Sequence, residues 1–530
     1  MLNLRLDRLR AFLIALSIWV GIYVPALGTP EFKGEEGRRV LPAVTMLETG
    51  NWTVPYVGGE PYYNKPPFIN WLVAISFILT GERTELSARL PSALFVLGFV
   101  ALLIFMRSPW QSLSGRLIGA IVFMTNISLV EKGRLIEIEA VYICLTAMAI
   151  LWWLNVWSDN GSAWSLWVIP SVILGCGMLT KGPVIVLLFY VTVISVLVYS
   201  RRIKALISLE HLVGILVLFG ISYGWTYLAS RHISGTEMMG QMSQQMFSRI
   251  LPTNIDFAKW GKNILKSFCN FLPWLLAVPA MWNEKYTSNI RQEHRALFKG
   301  CRLSMVLGFA LIVLMPKASS RYSMPVLGLA SILLGWVLSL VKELPAGGRL
   351  WRNLLLAGLI LSCLSAIAGF FAVEIGIYAF VICIMTVCMT ILIFEERHLF
   401  RTPLGLSILT AGLTVIFMLQ YAVFGMSMIT KHEARRPVAA SINSIVPREE
   451  TLYVLKPGYQ AFLFYVRPPL EYVISPRHID ADVRYLLLKE DALEELLRHQ
   501  NVSSRSPRTL YSFTYRHKGN FRLVELEPSV

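Results

Sequence analysis

Long apolar runs alternate with short polar clusters over most of the chain. About 20 mostly apolar residues suffice to cross a bilayer as a helix. Runs of this kind predict about thirteen spans, at 11–28, 90–106, 117–131, 138–157, 165–180, 182–199, 212–230, 264–283, 302–316, 322–341, 352–373, 375–394 and 404–425. A further run, "FINWLVAISFILTG" at Phe68–Gly81, is shorter, follows Pro66-Pro67 and contains Asn70 and Trp71. It reads as an amphipathic helix lying along the membrane. From Thr430 to Val530 the pattern turns polar. There "TLYVL", "LEYVI", "RYLLL" and "FRLVELE" read as short strands, and "YQAFLFYV" and "DALEELLRH" as helices. The predicted fold class is an all-α polytopic membrane domain with a small C-terminal α/β domain. The expected domains are residues 1–429, with a large first outer loop at 29–89, and residues 430–530.

Composition supports a membrane chain. Its 530 residues are 55% hydrophobic and 15% charged, with a mean hydropathy of +0.56. A soluble chain carries about a quarter charged residues. The net charge of +16 therefore reads as Lys and Arg holding loops at an anionic membrane surface, and no nucleic-acid motif accompanies it. The 7 cysteines form no CxxC pair, and the 8 histidines show no metal-binding spacing. The N-terminal "MLNLRLDRLR" with its apolar run resembles a signal peptide, but no convincing small-residue cleavage site follows, so it reads as a retained first span.

An odd number of spans puts the termini on opposite sides. Positive charge is denser in 1–10, 107–116, 158–164, 200–211, 284–301, 342–351 and 395–403, which places these segments in the cytoplasm. The outer face then receives "FKGEEGRR", "YYNKPP", "EKGRLIEIE", "LTKGP", the Arg231–Lys262 loop and "PKASSRY".

These outer clusters carry the candidate chemistry. Glu35 and Glu36 are adjacent carboxylates followed by Arg38 and Arg39. Like charges raise each other's proton affinity and a neighbouring Arg lowers it, so such a site can keep one ionised carboxylate as a base. Two adjacent Glu residues would suit Mg²⁺ or Ca²⁺ but are a weak metal motif, and neither a metal nor another cofactor is expected. Glu137 and Glu139 stand at the start of the fourth span, where the helix dipole favours acids. Being two apart, they would point to different sides of a helix. Lys65 follows two tyrosines, Tyr62 and Tyr63, and precedes two prolines. Lys181 separates two spans almost without a loop, where a lysine often snorkels to the interface. Lys317 and Arg321 form a short basic turn ending at Tyr322. Several cations on one face, around carboxylates, suit a phosphate ligand. A lipid-linked sugar phosphate would need this arrangement: cations for the phosphate, aromatic walls for the sugar and a carboxylate near the anomeric carbon.

In their order and their common outer side these motifs resemble the polyprenyl-phosphate-dependent glycosyltransferases of the GT-C fold. The nearest resemblance is to bacterial 4-amino-4-deoxy-L-arabinose lipid A transferases and their protein-mannosyltransferase relatives. The matching stretches are Glu35-Glu36 with Arg38, "TGNWTVP" at Thr49–Pro55, "YYNKPP", "LSARLPSAL" at Leu86–Leu94, "GRLIEIE", "LTKGPV" and "SSRYSMPV". The resemblance implies an integral enzyme of the bacterial inner membrane, with its active site and C-terminal domain facing the periplasm. It implies sugar transfer from undecaprenyl phosphate to lipid A or another envelope acceptor, with inversion at the anomeric carbon. It makes Glu35 the leading acid, assisted by Glu139, with Glu36 and Arg38 beside it. Lys65 contacts phosphate and Tyr322 lines the donor site, with Tyr62, Lys181, Lys317 and Arg321 also on the donor. Glu35 and Glu139 stand where the family has Asp, and Arg39 where an aromatic is common. Arg231 and Arg249 are further phosphate candidates outside any matched motif. Rival readings are a protein O-glycosyltransferase of the same fold, a lipid-linked sugar transporter, and an assembly protein whose outer loops bind a partner.

Overall fold

The computed structural model describes residues 6–62, 64–231, 240, 254–342, 347–372, 380–381, 384–388, 391, 401–426, 429, 434–480, 482–497, 507–515 and 519–527. Two compact units emerge. The first comprises Met1–Leu27, Asn64–Ile69 and Arg89–Ser427; the second comprises Gly28–Tyr63, Asn70–Ala88 and Met428–Val530.

The first unit is a helical membrane body. Among the described residues seven helices are long and apolar enough to cross a bilayer. They are Glu85–Phe105, Ile138–Ser158, Ala163–Lys181, Leu209–Ser230, Gln292–Val313, Leu350–Ala368 and Pro403–Gly425. A bent pair, Phe257–Cys269 and Trp274–Trp282, makes an eighth if counted as one span. Shorter apolar helices are Phe68–Thr80, Leu113–Met124, Val184–Tyr199 and Val326–Leu338. The expected count of about thirteen is thus not reproduced by length and composition, and local chemistry gives two reasons. The run at 117–131 is interrupted because Asn126 accepts a hydrogen bond from the Ser128 N–H and caps a new helix, Ile127–Lys132. The run at 264–283 breaks by 81° around Pro273, which lacks the N–H an uninterrupted helix needs. Most of the expected span 375–394 lies outside the described residues.

Small residues set the helix spacing. A Cβ on Gly335 would come within 2.3 Å of the Gly115 carbonyl oxygen, so Leu113–Met124 and Val326–Leu338 meet backbone to backbone. Around this contact the helix Ile138–Ser158 is buried over most of its length. Buried polar side chains here donate to backbone carbonyls distant in sequence. The Tyr23 hydroxyl donates to the Met124 carbonyl at 2.9 Å, and Arg134 donates to the carbonyls of Ile22 and Pro25.

The second unit contains a five-stranded mixed sheet. Its strand order is Leu470–Val473, Leu452–Leu455, Tyr485–Lys489, Asn520–Leu526, Pro507–Thr514. The first three strands are parallel, and the last two join antiparallel. The four expected strands form, and Pro507–Thr514 is an addition; its alternation of polar and aromatic residues is too mixed to stand out. "YQAFLFYV" is only a short 3₁₀ turn, Ala461–Tyr465. The expected helix "DALEELLRH" forms as Glu490–Leu497, its last residues lying outside the described set.

Part of the first outer loop belongs to this same unit. Glu31 caps helix Arg435–Ile445 with both carboxylate oxygens, accepting from the Arg435 and Arg436 N–H groups at 2.9 Å each. Glu85 accepts from the Tyr465 hydroxyl at 2.8 Å and pairs with Arg436. That hydroxyl in turn accepts from the Phe32 N–H at 2.9 Å. Burial alone would lower the Arg436 guanidinium, but Glu85 outweighs it and the pKa is raised.

Candidate functional site

Six of the predicted site residues fall in the membrane unit, and four of these gather. Glu139 lies in the first turn of Ile138–Ser158, and Lys181 is the last residue of Ala163–Lys181. Lys181 Nζ stands 3.1 Å from Glu139 Oε1, with both side chains only 5% exposed. So Lys181 does not snorkel outward; it turns into the protein. Its ammonium also sits 4.4 Å from the centre of the Tyr322 ring, a cation–π distance. Arg321 Nη1 approaches Glu139 Oε1 at 3.6 Å and Glu137 Oε2 at 3.9 Å.

Local sequence explains the convergence. Helix Ala163–Lys181 stops because Gly182 takes φ +97°, a region that L side chains rarely adopt. The Gly182 carbonyl accepts from the Tyr142 hydroxyl at 2.9 Å, and that hydroxyl accepts from the Ile185 N–H at 2.6 Å. The turn carrying Lys181 is thereby tied to the helix that carries Glu139. Arg321 and Tyr322 ride a 3₁₀ turn, Ser320–Ser323, held by Asn270, whose amide donates to the Ser320 carbonyl at 2.9 Å.

Glu137 modifies the sequence argument. It is not on the helix but is the extended residue before it, with φ −115° and ψ 147°. The rule that residues two apart diverge does not apply, and Glu137 and Glu139 approach the same guanidinium. Glu137 also pairs with Lys132 at 3.0 Å. Burial pushes the Glu137 carboxyl up, with Lys132 opposing and Glu139 adding to the rise. Burial would lower Lys132, but Glu137 and Glu131 together hold its ammonium above the usual lysine range. The sequence alone does not mark Lys132 or Arg134 as site residues. Burial lowers Arg134 to about 10. The stretch "EKGRLIEIE" contains the signal for Lys132, a cation five residues before Glu137.

The cluster is close to electrically balanced: Glu131, Glu137 and Glu139 against Lys132, Lys181 and Arg321. Arg321 is the cation with capacity to spare. Its side chain is 43% exposed and its carboxylate contacts are long. A guanidinium offers five N–H donors in a planar fork that matches phosphate oxygens. Lys65 is half-buried in the bend before Phe68–Thr80, while Lys317 is exposed and pairs with no described carboxylate. Lys317 and Arg321, expected as one basic turn, therefore differ in surroundings. Arg231 ends helix Leu209–Ser230 in an exposed position, and Arg249 lies outside the described residues.

The other four predicted residues belong to the second unit. Glu35 Oε2 accepts from Arg38 Nη1 at 2.8 Å, and the Arg38 guanidinium lies 3.8 Å over the Tyr459 ring. Glu36 is fully buried and accepts from the Lys33 N–H at 2.9 Å, so it fastens the turn that presents Glu35. Arg39 is 4% exposed, and its Nε and Nη1 have no hydrogen-bond partner. Its guanidinium lies 5.9 Å from the Tyr62 ring. The "GNW" stretch is structural: Gly50 ends helix Gly37–Thr49 at φ +70°, and Asn51 accepts from the Thr53 N–H at 3.1 Å.

Comparison with known proteins agrees with this architecture. The crystal structure of ArnT from Cupriavidus metallidurans bound to undecaprenyl phosphate superposes with a TM-score of 0.71 at 18% identity, covering 98% of this chain and 97% of that one. The chain has the GT-C glycosyltransferase fold. The family model for dolichyl-phosphate-mannose-protein mannosyltransferase matches residues 64–225, the stretch holding Lys65, Glu139 and Lys181. An uncharacterized protein of Aquifex aeolicus is 27% identical over 296 residues, 52% of this chain and 67% of that protein. An undecaprenyl phosphate-alpha-4-amino-4-deoxy-L-arabinose arabinosyl transferase of Pseudomonas savastanoi pv. phaseolicola is 24% identical over 220 residues, 41% of this chain. That match spans 40% of the transferase's own length. The resemblance drawn from the motifs thus holds for the fold.

Proposed function

We propose that this GT-C chain is a membrane glycosyltransferase that moves a sugar from a polyprenyl phosphate to an envelope acceptor, with lipid A as the acceptor. The observation that carries the reading is the buried Glu139–Lys181 pair with Arg321 beside it at the ends of membrane helices. Lys181 and Arg321 engage the donor phosphate with Lys65, and Tyr322 lines the sugar. Glu35 takes the proton of the attacking hydroxyl. The new glycosidic bond forms as the bond from the anomeric carbon to the phosphate oxygen breaks, and the polyprenyl phosphate leaves as an anion stabilised by the cations. A single displacement of this kind inverts the anomeric centre. Glu139 holds Lys181 in place, and Glu36 and Arg38 hold Glu35. The active face is periplasmic and the membrane is the bacterial inner membrane.

The names of the matched transferases support an undecaprenyl phosphate-linked aminoarabinose donor, while lipid A as the acceptor rests on the motif resemblance. The mannosyltransferase family match supports a second reading, transfer to protein. Mass spectrometry of lipid A and of envelope glycoproteins, with and without the chain, separates them. A sugar-sized increment on lipid A that requires the chain is expected; an increment on protein alone would move the acceptor, and none anywhere would overturn the reading.

A further inference from the structure

A second charged cluster lies in the membrane unit, at the opposite ends of the same helices. Val184–Tyr199 begins three residues after Lys181 and ends just before Arg201. Its 16 residues rise about 24 Å. Along Ile138–Ser158, Glu139 and Trp157 are separated by about 27 Å of helix. The basic turn "RRIK" and Trp157 therefore stand one membrane thickness from the Glu139–Lys181 pair.

Here Trp157, Arg201, Arg202, Ile203, Lys204 and Ala205 line a cavity of about 490 Å³. The Arg202 guanidinium is 5.8 Å from the Trp157 ring. Arg201, Arg202 and Lys204 are exposed, and none pairs with a described carboxylate. The nearest acids in sequence are otherwise placed. Asp159 pairs with Arg107 at 3.5 Å, and Glu210 sits in the first turn of Leu209–Ser230, where the helix dipole favours it.

The turn has a fixed shape. Arg201 takes φ +55° to end the helix, a conformation that costs a non-glycine residue about 1 kcal/mol. His211 clamps the following segment: its Nδ1 lies 2.7 Å from the Leu206 carbonyl oxygen and its Nε2 2.9 Å from the Tyr190 hydroxyl. Ile203 and Ile207 are 45% and 80% exposed on the same turn. Cations interleaved with exposed isoleucines match the two halves of a phospholipid, an anionic head and apolar chains.

We infer that this cavity binds the phosphate headgroup of an anionic phospholipid in the leaflet opposite the candidate site. The full chain in detergent, titrated with dioleoyl phosphatidylglycerol and read by native mass spectrometry, tests it. One adduct is expected, held at least about tenfold more tightly than dioleoyl phosphatidylcholine, since each cation near a membrane surface contributes roughly fivefold. R201Q/R202Q/K204Q should bring the two lipids to parity, whereas R201K/R202K, which keeps the charge, should retain the preference. The melting temperature in phosphatidylcholine monitors folding of both variants. Equal retention of phosphatidylglycerol by the triple variant would overturn the inference. So would its displacement by equimolar glycerol 1-phosphate, which would indicate a site for soluble phosphate instead.

Discussion

Lys181 and Glu139 form an ion pair at 3.1 Å although 42 residues separate them and both side chains are buried. Breaking a buried pair by removing one charge costs about 3–5 kcal/mol, because the other is left uncompensated. Glu139→Gln should therefore lower the melting temperature in detergent clearly, because it removes the carboxylate that faces Lys181 and Arg321, itself a cation, cannot stand in for it. Glu139→Leu combined with Lys181→Met should recover most of the loss. A double variant as unstable as the single one would show that the pair is not the unit that matters.

Glu35 and Arg38 pair at 2.8 Å but are about a third exposed. Exposed pairs contribute about 0–1 kcal/mol, so Glu35→Gln should leave the melting temperature almost unchanged. The same variant should abolish sugar transfer if Glu35 is the base. Arg38→Ala should reduce transfer less, and its stability loss should come from the Tyr459 stack. Radiolabelled sugar transfer alongside thermal melts reads both.

Glu137 makes stability depend on pH. Its folded pKa is raised above the ordinary 4.5 by burial, so the folded state holds the proton more tightly. That contribution is fully present below 4.5 and is lost as pH rises through the raised value. Relative to Glu137→Gln, the wild-type protein should lose stability as pH climbs from 4.5, then run parallel until the lysine range is reached. Melts of both proteins across acid to neutral pH check the sign.

Gly182 is a backbone requirement and not a packing one. A Cβ there would meet nothing within 4 Å, yet φ is +97°. Gly182→Ala should cost about 1–3 kcal/mol from the backbone alone, since φ +97° with ψ −160° is a conformation essentially confined to glycine. It should also weaken transfer by shifting Lys181, seen as a raised KM for the donor with little change in kcat.

Arg39 places a guanidinium in a 4% exposed position with two nitrogens unpartnered. An unpaired buried charge destabilises the fold, so Arg39→Met should be at least as stable as wild type by thermal melting. A clear loss of stability in Arg39→Met would reveal a compensating anion.

Several of these features are legible in the sequence. Glu35, Glu139, Lys181 and Arg321 stand out in the sequence through the order of their motifs and the clustering of cations and carboxylates on the expected outer face. The four strands of the C-terminal sheet were visible in their apolar alternation. The span boundaries were less so, because the caps and breaks at Asn126 and Pro273 depend on single hydrogen-bond donors and acceptors that a hydropathy average blurs. Glu31, Glu85, Arg435 and Arg436 carry no signal in the sequence, since each looks like an ordinary loop charge until its partner is known. Lys317 and Arg321 lie in one short motif, yet only Arg321 comes within ion-pairing distance of Glu139.

Local composition thus determined that the chain crosses a membrane many times and which polar groups stand at the ends of its helices, because burying a run of side chains in hydrocarbon is a property of that run alone. Tertiary packing decided which charge faces which. The coupling of Lys181 to Glu139, the shared approach of Glu137 and Glu139 to Arg321, and the capping of a C-terminal helix by Glu31 all join residues distant in sequence. Hydrogen bonds hold only near 3 Å and Coulomb energy falls as the inverse of distance, and only the folded backbone sets those distances.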